Sequence, residues 1–273
     1  MLNAFKYFLK FYCRATTLYN VHSTFVYEFT DFVFHHTVPP GSWKKLTEVR
    51  KRLLRDQTLI PNLDLGAGSR SHQANESVSI SRVASTAVSG PLKLKWLHNI
   101  CAFLQPNLIL ELGTSLGISA ACIAPCADRM ITIEGNPTIA GIAKGIFNEL
   151  HLHNIELMIG HFDHVLPSIL EKNKPGLVYI DGNHTYEATI TYFRMLAEPG
   201  SNEDLVLVFD DIYWSADMLR AWEEIRNDPR SRLTIDLYHF GLVFFNTRII
   251  APKHYTLLPA SWKPWHIGFR PVK

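Results

Sequence analysis

Leu108-Ile109-Leu110-Glu111-Leu112-Gly113-Thr114-Ser115-Leu116-Gly117 is the stretch on which the fold of this chain turns. A short β-rich run, Leu108–Leu112, ends in an acid and a glycine turn, then passes into a helix-length segment, Ile118–Ala127. The same unit recurs downstream. Met130–Ile133, Glu156–Ile159, Leu177–Ile180 and Leu205–Phe209 are β-rich, and Pro137–Leu150, Val165–Lys172, Tyr186–Ala197 and Ala216–Arg226 are helical in pattern. Such alternation implies crossover connections and parallel pairing. The rhythm then breaks: Leu233–Tyr238 and Leu242–Phe245 lie too close together for a crossover and must form a hairpin. The expected fold is α/β, a doubly wound, seven-stranded, mostly parallel sheet that ends in an antiparallel hairpin.

Upstream the texture differs. Residues 1–58 read as aromatic-rich helices broken at Pro39-Pro40-Gly41, with Ser42 the N-cap candidate of a helix running to Arg55. Residues 61–90 read as a long polar loop with a turn of helix, and Pro91 opens the next helix. The predicted organisation is a helical and loop extension over 1–90, placed to cap an acceptor site, and one α/β domain over 91–273. From Met1 to Tyr27 there is no acid, and Lys6 and Lys10 interrupt the apolar run that a secretory signal needs. A transit peptide or a membrane-surface helix shares this composition. The expected arrangement is an arm packed on the main domain through Phe5, Phe8, Leu9 and Tyr12. It leaves a homodimer open.

The chain has 273 residues, 47% of them hydrophobic and 19% charged, and a formal charge of +2. That composition excludes wholesale disorder and offers no basic field for nucleic acid. No apolar run approaches the roughly 20 residues of a membrane-spanning helix, so integral membrane association is not expected. Cys13, Cys101, Cys122 and Cys126 contain no C-x-x-C pair and suit a reduced, cytoplasmic setting. The histidines show no zinc-binding helix pair.

In open α/β sheets ligands bind beyond the carboxyl ends of the strands, where strand order reverses. Acids end four of the five expected parallel strands: Glu111 before its glycine turn, Glu134, Asp181, and Asp210 with Asp211. Gly113 and Gly117 let the backbone turn tightly beside a ligand. Glu134 follows Gly113 by 21 residues, the distance at which an acid accepts ribose hydroxyls. Yet the glycine spacing is neither the dinucleotide fingerprint nor a P-loop, and Glu111 repels phosphate. S-adenosylmethionine carries a ribose, an ammonium and a sulfonium but no phosphate, and it suits these acids.

These motifs, in this order, resemble the successive motifs of class I S-adenosylmethionine-dependent methyltransferases over residues 91–246. Ile180-Asp181-Gly182-Asn183-His184 with Val208-Phe209-Asp210-Asp211 is similar to the bacterial metal-dependent O-methyltransferase branch. The resemblance implies a Rossmann-like methyltransferase fold acting on a small-molecule acceptor. It implies that Gly113, Thr114, Ser115 and Gly117, with Glu111 beside them, line the methionine part, and that Glu134 binds the ribose. At the adenine, Gly160-His161-Phe162-Asp163 departs from the pattern at His161; Phe162 would stack and Asp163 would cap a helix. Asp181 would border the cofactor, and with Asp210 and Asp211 would hold a divalent ion, most simply Mg. A bound cation would lower the acceptor hydroxyl's pKa, with His184 as the candidate base. Asp181 capping a helix and Asp210-Asp211 satisfying loop backbone are the plainer alternatives.

Two decoys compete. Leu63-Asp64-Leu65-Gly66-Ala67-Gly68 looks like a cofactor loop but has no strand run before it. Gly113-Thr114-Ser115-Leu116-Gly117 matches the G-x-S-x-G elbow of a serine hydrolase, which Asp210 and His239 would complete in the right chain order. That reading leaves Glu134 and Asp181 without work. A third reading, a non-catalytic module that binds cofactor or a protein partner, rests on the aromatic-rich first 43 residues.

Overall fold

The computed structural model describes residues 2–61, 77–198, 204–246, 248 and 253–266. The polar-loop residues 62–76, and with them the glycine-rich decoy at 63–68, lie outside the described residues. The chain forms two compact units, Thr37–Asn183 and a discontinuous one made of Met1–His36 and His184–Lys273.

Helices α1 (Leu2–Arg14) and α2 (Thr24–His35) begin the discontinuous unit. The continuous unit then runs through α3 (Pro40–Leu53), β1 (Leu59–Pro61), β2 (Ser77–Ser79), α4 (Ile80–Ala87) and α5 (Pro91–Leu104). It goes on through β3 (Leu108–Leu112), α6 (Ile118–Ile123), β4 (Arg129–Glu134), α7 (Pro137–Glu149), β5 (Ile155–Ile159), α8 (Phe162–Lys172) and β6 (Leu177–Ile180). The chain returns to the discontinuous unit with α9 (Tyr186–Leu196), β7 (Val206–Asp210), α10 (Ala216–Asn227), β8 (Leu233–Asp236), β9 (Phe240–Phe244) and β10 (His254–Thr256).

Within Thr37–Asn183 the strands lie in the order β6-β3-β4-β5 and all adjacent pairs are parallel. The central strand β3 is buried at every position, as a strand covered on both faces must be. From β3 the chain steps outward to β4 and β5, then doubles back to β6 on the other side of β3. With right-handed crossovers, the step back puts α8 on the face opposite α6 and α7. The reversal lies between β3 and β6, so the carboxyl ends of those two strands flank the switch point. Local chemistry sets the helix ends. Asn136 caps α7 by accepting from the N–H groups of Thr138 and Ile139 at 2.9 and 3.3 Å, and Pro137 needs no hydrogen-bond partner at the first position.

Several boundaries differ from the sequence expectation for identifiable reasons. Helix α3 starts at Pro40 with Pro39 as N-cap, so Ser42 lies inside the first turn; proline's fixed φ suits a helix start as well as serine's cap does. Pro125 limits α6 to Ile118–Ile123, and Ala124–Cys126 continue as a 3-10 turn. The run 77–87 is a strand that pairs antiparallel with β1, followed by a two-turn helix rather than loop.

In the discontinuous unit the strands lie in the order β10-β8-β9-β7. β8 and β9 form the expected antiparallel hairpin, and β9 also pairs antiparallel with β7. β10 adds a short parallel edge to β8, a strand the sequence pattern did not announce. Helix α1 packs by one face: Phe11 is fully buried, with its ring 5.2 Å from Tyr238 and 5.9 Å from Tyr213, and Phe8 meets Tyr238 edge-on at 5.2 Å. Tyr12 donates to the Trp262 carbonyl at 2.7 Å. The arm is therefore docked, but not through all the residues expected. Phe5 and Leu9 are 63% and 43% exposed, because the four-residue step that brings Phe11 and Ala15 inward turns these two outward.

Candidate functional site

The nine expected cofactor residues all fall in Thr37–Asn183, at the carboxyl ends of β3, β4, β5 and β6. The turn after β3 is tight. Gly113 has φ +105°, and its N–H and that of Thr114 both bond the Ile133 carbonyl at 3.1 Å. A Cβ on Gly113 would sit 2.2 Å from the Asp181 carbonyl oxygen, so the glycine lets the two strand ends at the switch point touch. Gly117, at φ +79°, is the N-cap of α6. Ser115 is itself left-handed at φ +46°, and its N–H is held at 2.8 Å by Glu134 Oε2. The other Glu134 oxygen accepts from the Asn136 N–H at 2.9 Å. Glu134 thus clamps the glycine turn to the start of α7. Its two oxygens each keep a second lone pair for a ligand hydroxyl.

Glu111 is completely buried. Its Oε2 accepts from the Thr132 hydroxyl at 2.6 Å, and that hydroxyl lies 2.6 Å from the Thr114 hydroxyl. Oε1 is buried and makes no hydrogen bond of ordinary geometry. Burial above all raises the Glu111 pKa to about 8. The hydroxyls of Thr132 and Ser119 oppose that rise, and the neighbouring acids Asp181 and Glu134 add to it. A carboxyl in such a place lacks a countercharge, which a cationic ligand would supply.

On the far side of the switch point, Asp181 follows β6, with its N–H on the Leu112 carbonyl at 2.9 Å and its Oδ2 accepting from Tyr179 at 3.0 Å. Asp181 is not a helix cap: Thr185 caps α9. Phe162 opens α8, and a Cβ on Gly182 would lie 2.7 Å from its ring, so Phe162 and the β6 end are in contact. His161, not Asp163, is the N-cap residue of α8, without a side-chain cap bond. Asp163 sits within the first turn, where a carboxylate suits the helix dipole, 3.5 Å from His161 Nδ1.

Asp210, Asp211 and His184 belong to the discontinuous unit. Asp210 ends β7 and is almost fully buried. Asp211 turns at φ +46°, with its N–H on the His239 carbonyl at 2.9 Å, and His184 is half-buried ahead of α9. Among the described residues no group of three or more His, Cys, Asp or Glu side chains is arranged to hold a metal ion. Also among the described residues, no helix is long and apolar enough to cross a membrane.

The sequence reading overlooked Thr132, Asn136 and Tyr179. A threonine between Ile131 and Ile133 looks like one more β-former, and only its place opposite Glu111 in the strand register reveals a polar role.

Residues 110–212 match the model of a methyltransferase domain family. Among curated relatives, a protein-L-isoaspartate O-methyltransferase of Bradyrhizobium sp. is 23% identical over 130 residues, 45% of this chain and 60% of that protein. A transmembrane O-methyltransferase of Homo sapiens is 32% identical over 97 residues, 33% of this chain and 32% of that protein. The chain thus spans about three fifths or less of the length of these two relatives. Among solved structures, an SAH-bound methyltransferase of Podospora anserina superposes with a TM-score of 0.57 at 12% identity, covering 82% of this chain and 97% of that one. The O-methyltransferase TomG of Streptomyces achromogenes, in complex with SAM, gives 0.51 at 19% identity, covering 78% and 92%. These likenesses establish the fold. Motif order, strand order and the domain match over residues 110–212 agree, and the chain is recognised by its resemblance to the class I S-adenosylmethionine-dependent methyltransferases.

Proposed function

We propose that the chain transfers a methyl group from S-adenosylmethionine to an oxygen of a small-molecule acceptor. The observation that carries this reading is the grouping of Glu111, Glu134 and Asp181 around a glycine turn at the switch point of a parallel sheet. The residues suit the cofactor: Glu111 is fully buried and has only acids as its charged neighbours. When bound, S-adenosylmethionine supplies an electrophilic methyl on a positive sulfur.

In this reading Glu134 binds the ribose hydroxyls while it braces the turn. The backbone of Gly113, Thr114, Ser115 and Gly117 follows the methionine part, Phe162 stacks on the adenine beside His161, and Glu111 and Asp181 balance the positive charge. Bound S-adenosylmethionine would supply the methyl group to an acceptor oxygen, and His184 would take the proton that oxygen gives up. The relatives named as O-methyltransferases support oxygen as the receiving atom.

The test is calorimetric titration with S-adenosylmethionine and S-adenosylhomocysteine. Glu134→Ala should weaken both by about tenfold or more, the scale of lost hydrogen bonds to a charged group, and Asp181→Ala should weaken S-adenosylmethionine more than the neutral S-adenosylhomocysteine. Absence of binding at millimolar cofactor would refute the proposal. The serine-hydrolase reading predicts instead that a phosphonate probe labels Ser115. Turnover with Mg, compared with turnover in chelator, decides whether Asp181, Asp210 and Asp211 have a metal role, as the family resemblance implies.

A further inference from the structure

We propose that Thr132 is a positioning residue for the methyl donor: its buried hydroxyl, set between Glu111 and Thr114, holds the Glu111 carboxylate as the countercharge of the positive sulfur. The inference rests on the methyltransferase reading and concerns a residue to which that reading gives no part.

Thr132 faces Glu111 directly in the β3–β4 register, and both side chains are fully buried. A hydroxyl has one proton to give. An ionised Glu111 can only accept, so Thr132 then gives its proton to Oε2 at 2.6 Å and the Thr114 hydroxyl, also 2.6 Å away, donates to the Thr132 oxygen. The chain therefore runs Thr114 to Thr132 to Glu111 when the carboxyl is ionised. A protonated Glu111 would reverse it, with the acid donating to Thr132 and Thr132 to Thr114. Thr132 thus couples the charge of Glu111 to the hydroxyl direction of a residue in the glycine turn.

Ile131 and Ile133 flank Thr132 on a buried strand, where valine keeps the shape and the strand preference but leaves Glu111 Oε2 and the Thr114 hydroxyl without this partner. What a valine could not do is stabilise a carboxylate whose charged neighbours, Asp181 and Glu134, are both negative. The Thr132 hydroxyl favours the ionised form of Glu111, and the ionised form discriminates a sulfonium from a neutral thioether.

The experiment measures dissociation constants for S-adenosylmethionine and S-adenosylhomocysteine, which differ at the sulfur by the methyl and its charge, on the wild type, Thr132→Val and Thr132→Ser. The expected result for Thr132→Val is a fall in the preference for the cationic ligand by about tenfold, the scale of one hydrogen bond to a charged group. The neutral ligand should change by less than about threefold, and Thr132→Ser should restore the preference. Equal losses for both ligands, an unchanged preference, or a serine variant that behaves like valine would overturn the proposal. Glu111→Gln offers a second route if Thr132→Val does not fold: it should lower the same preference, and an unchanged preference there also refutes the coupling. A wild-type protein that binds neither ligand would instead refute the methyltransferase reading itself.

Discussion

Replacing Glu111 by glutamine should make the ligand-free protein more stable than the wild type as pH rises. The reasoning starts from burial. Complete desolvation carries the Glu111 carboxyl from an ordinary 4.5 to about 8, against the opposing hydroxyls of Thr132 and Ser119. Below pH 4.5 the group holds its proton in the folded and the unfolded chain alike, and its full contribution to stability is present. Above that value the unfolded chain releases the proton while the folded chain keeps it, so folding loses ground until the pH reaches about 8. Each pH unit in that window is worth about 1.4 kcal/mol, or about 5 kcal/mol across all of it. Glutamine is nearly the same shape, can accept from Thr132, and cannot ionise. Urea denaturation of both proteins at pH 5.5 and pH 7.5, without ligand, isolates the effect, because any constant cost of the substitution cancels between the two pH values. The wild type should lose about 3 kcal/mol relative to Glu111→Gln over those two units. Parallel stability curves would refute the claim that this carboxyl is buried without a countercharge.

Gly113→Ala should destabilise the protein by about 2–5 kcal/mol in chemical denaturation, since a left-handed backbone and a Cβ 2.2 Å from the Asp181 carbonyl oxygen act together. Gly141→Ala, where a Cβ meets nothing within 4 Å inside a helix, should change stability little or raise it by about 1 kcal/mol. Tyr213→Phe should cost about 1.5–3 kcal/mol in the same assay. It removes the 2.6 Å hydrogen bond to Asp236, a fully buried carboxyl that burial has already pushed up to about 6.

Much of this fold was legible because its signals are local. Pro137 after Asn136 announces a helix start by cap chemistry, and apolar runs such as Leu177–Ile180 can be little else than buried strands. The acids at the strand ends were legible for the same reason: each directly follows a run whose direction is known. What stayed hidden needed a partner far away in sequence. β10 is three residues long and exists because β8 offers it an edge. The exposure of Phe5 and Leu9 depends on which face of α1 meets Tyr213 and Tyr238, more than 200 residues onward. The Glu134 clamp on Ser115 and the Thr114–Thr132–Glu111 chain required the strand register, which no periodicity contains.

The two compact units reach completeness at different moments of synthesis. Every expected donor-binding residue lies between 111 and 181, so that unit can close while the ribosome is still adding later residues. The aromatic helix at the start of the chain has no such option. Thr16 pairs with Thr256, Tyr12 with Trp262, and Ala15 with the Lys263 ammonium, so this segment waits for partners made about 250 residues later. Through that delay Phe8 and Phe11 stay uncovered, a natural target for holding chaperones and a hazard for self-association. Yield on expression should therefore respond to translation speed and chaperone supply more sharply than the finished molecule's stability would suggest.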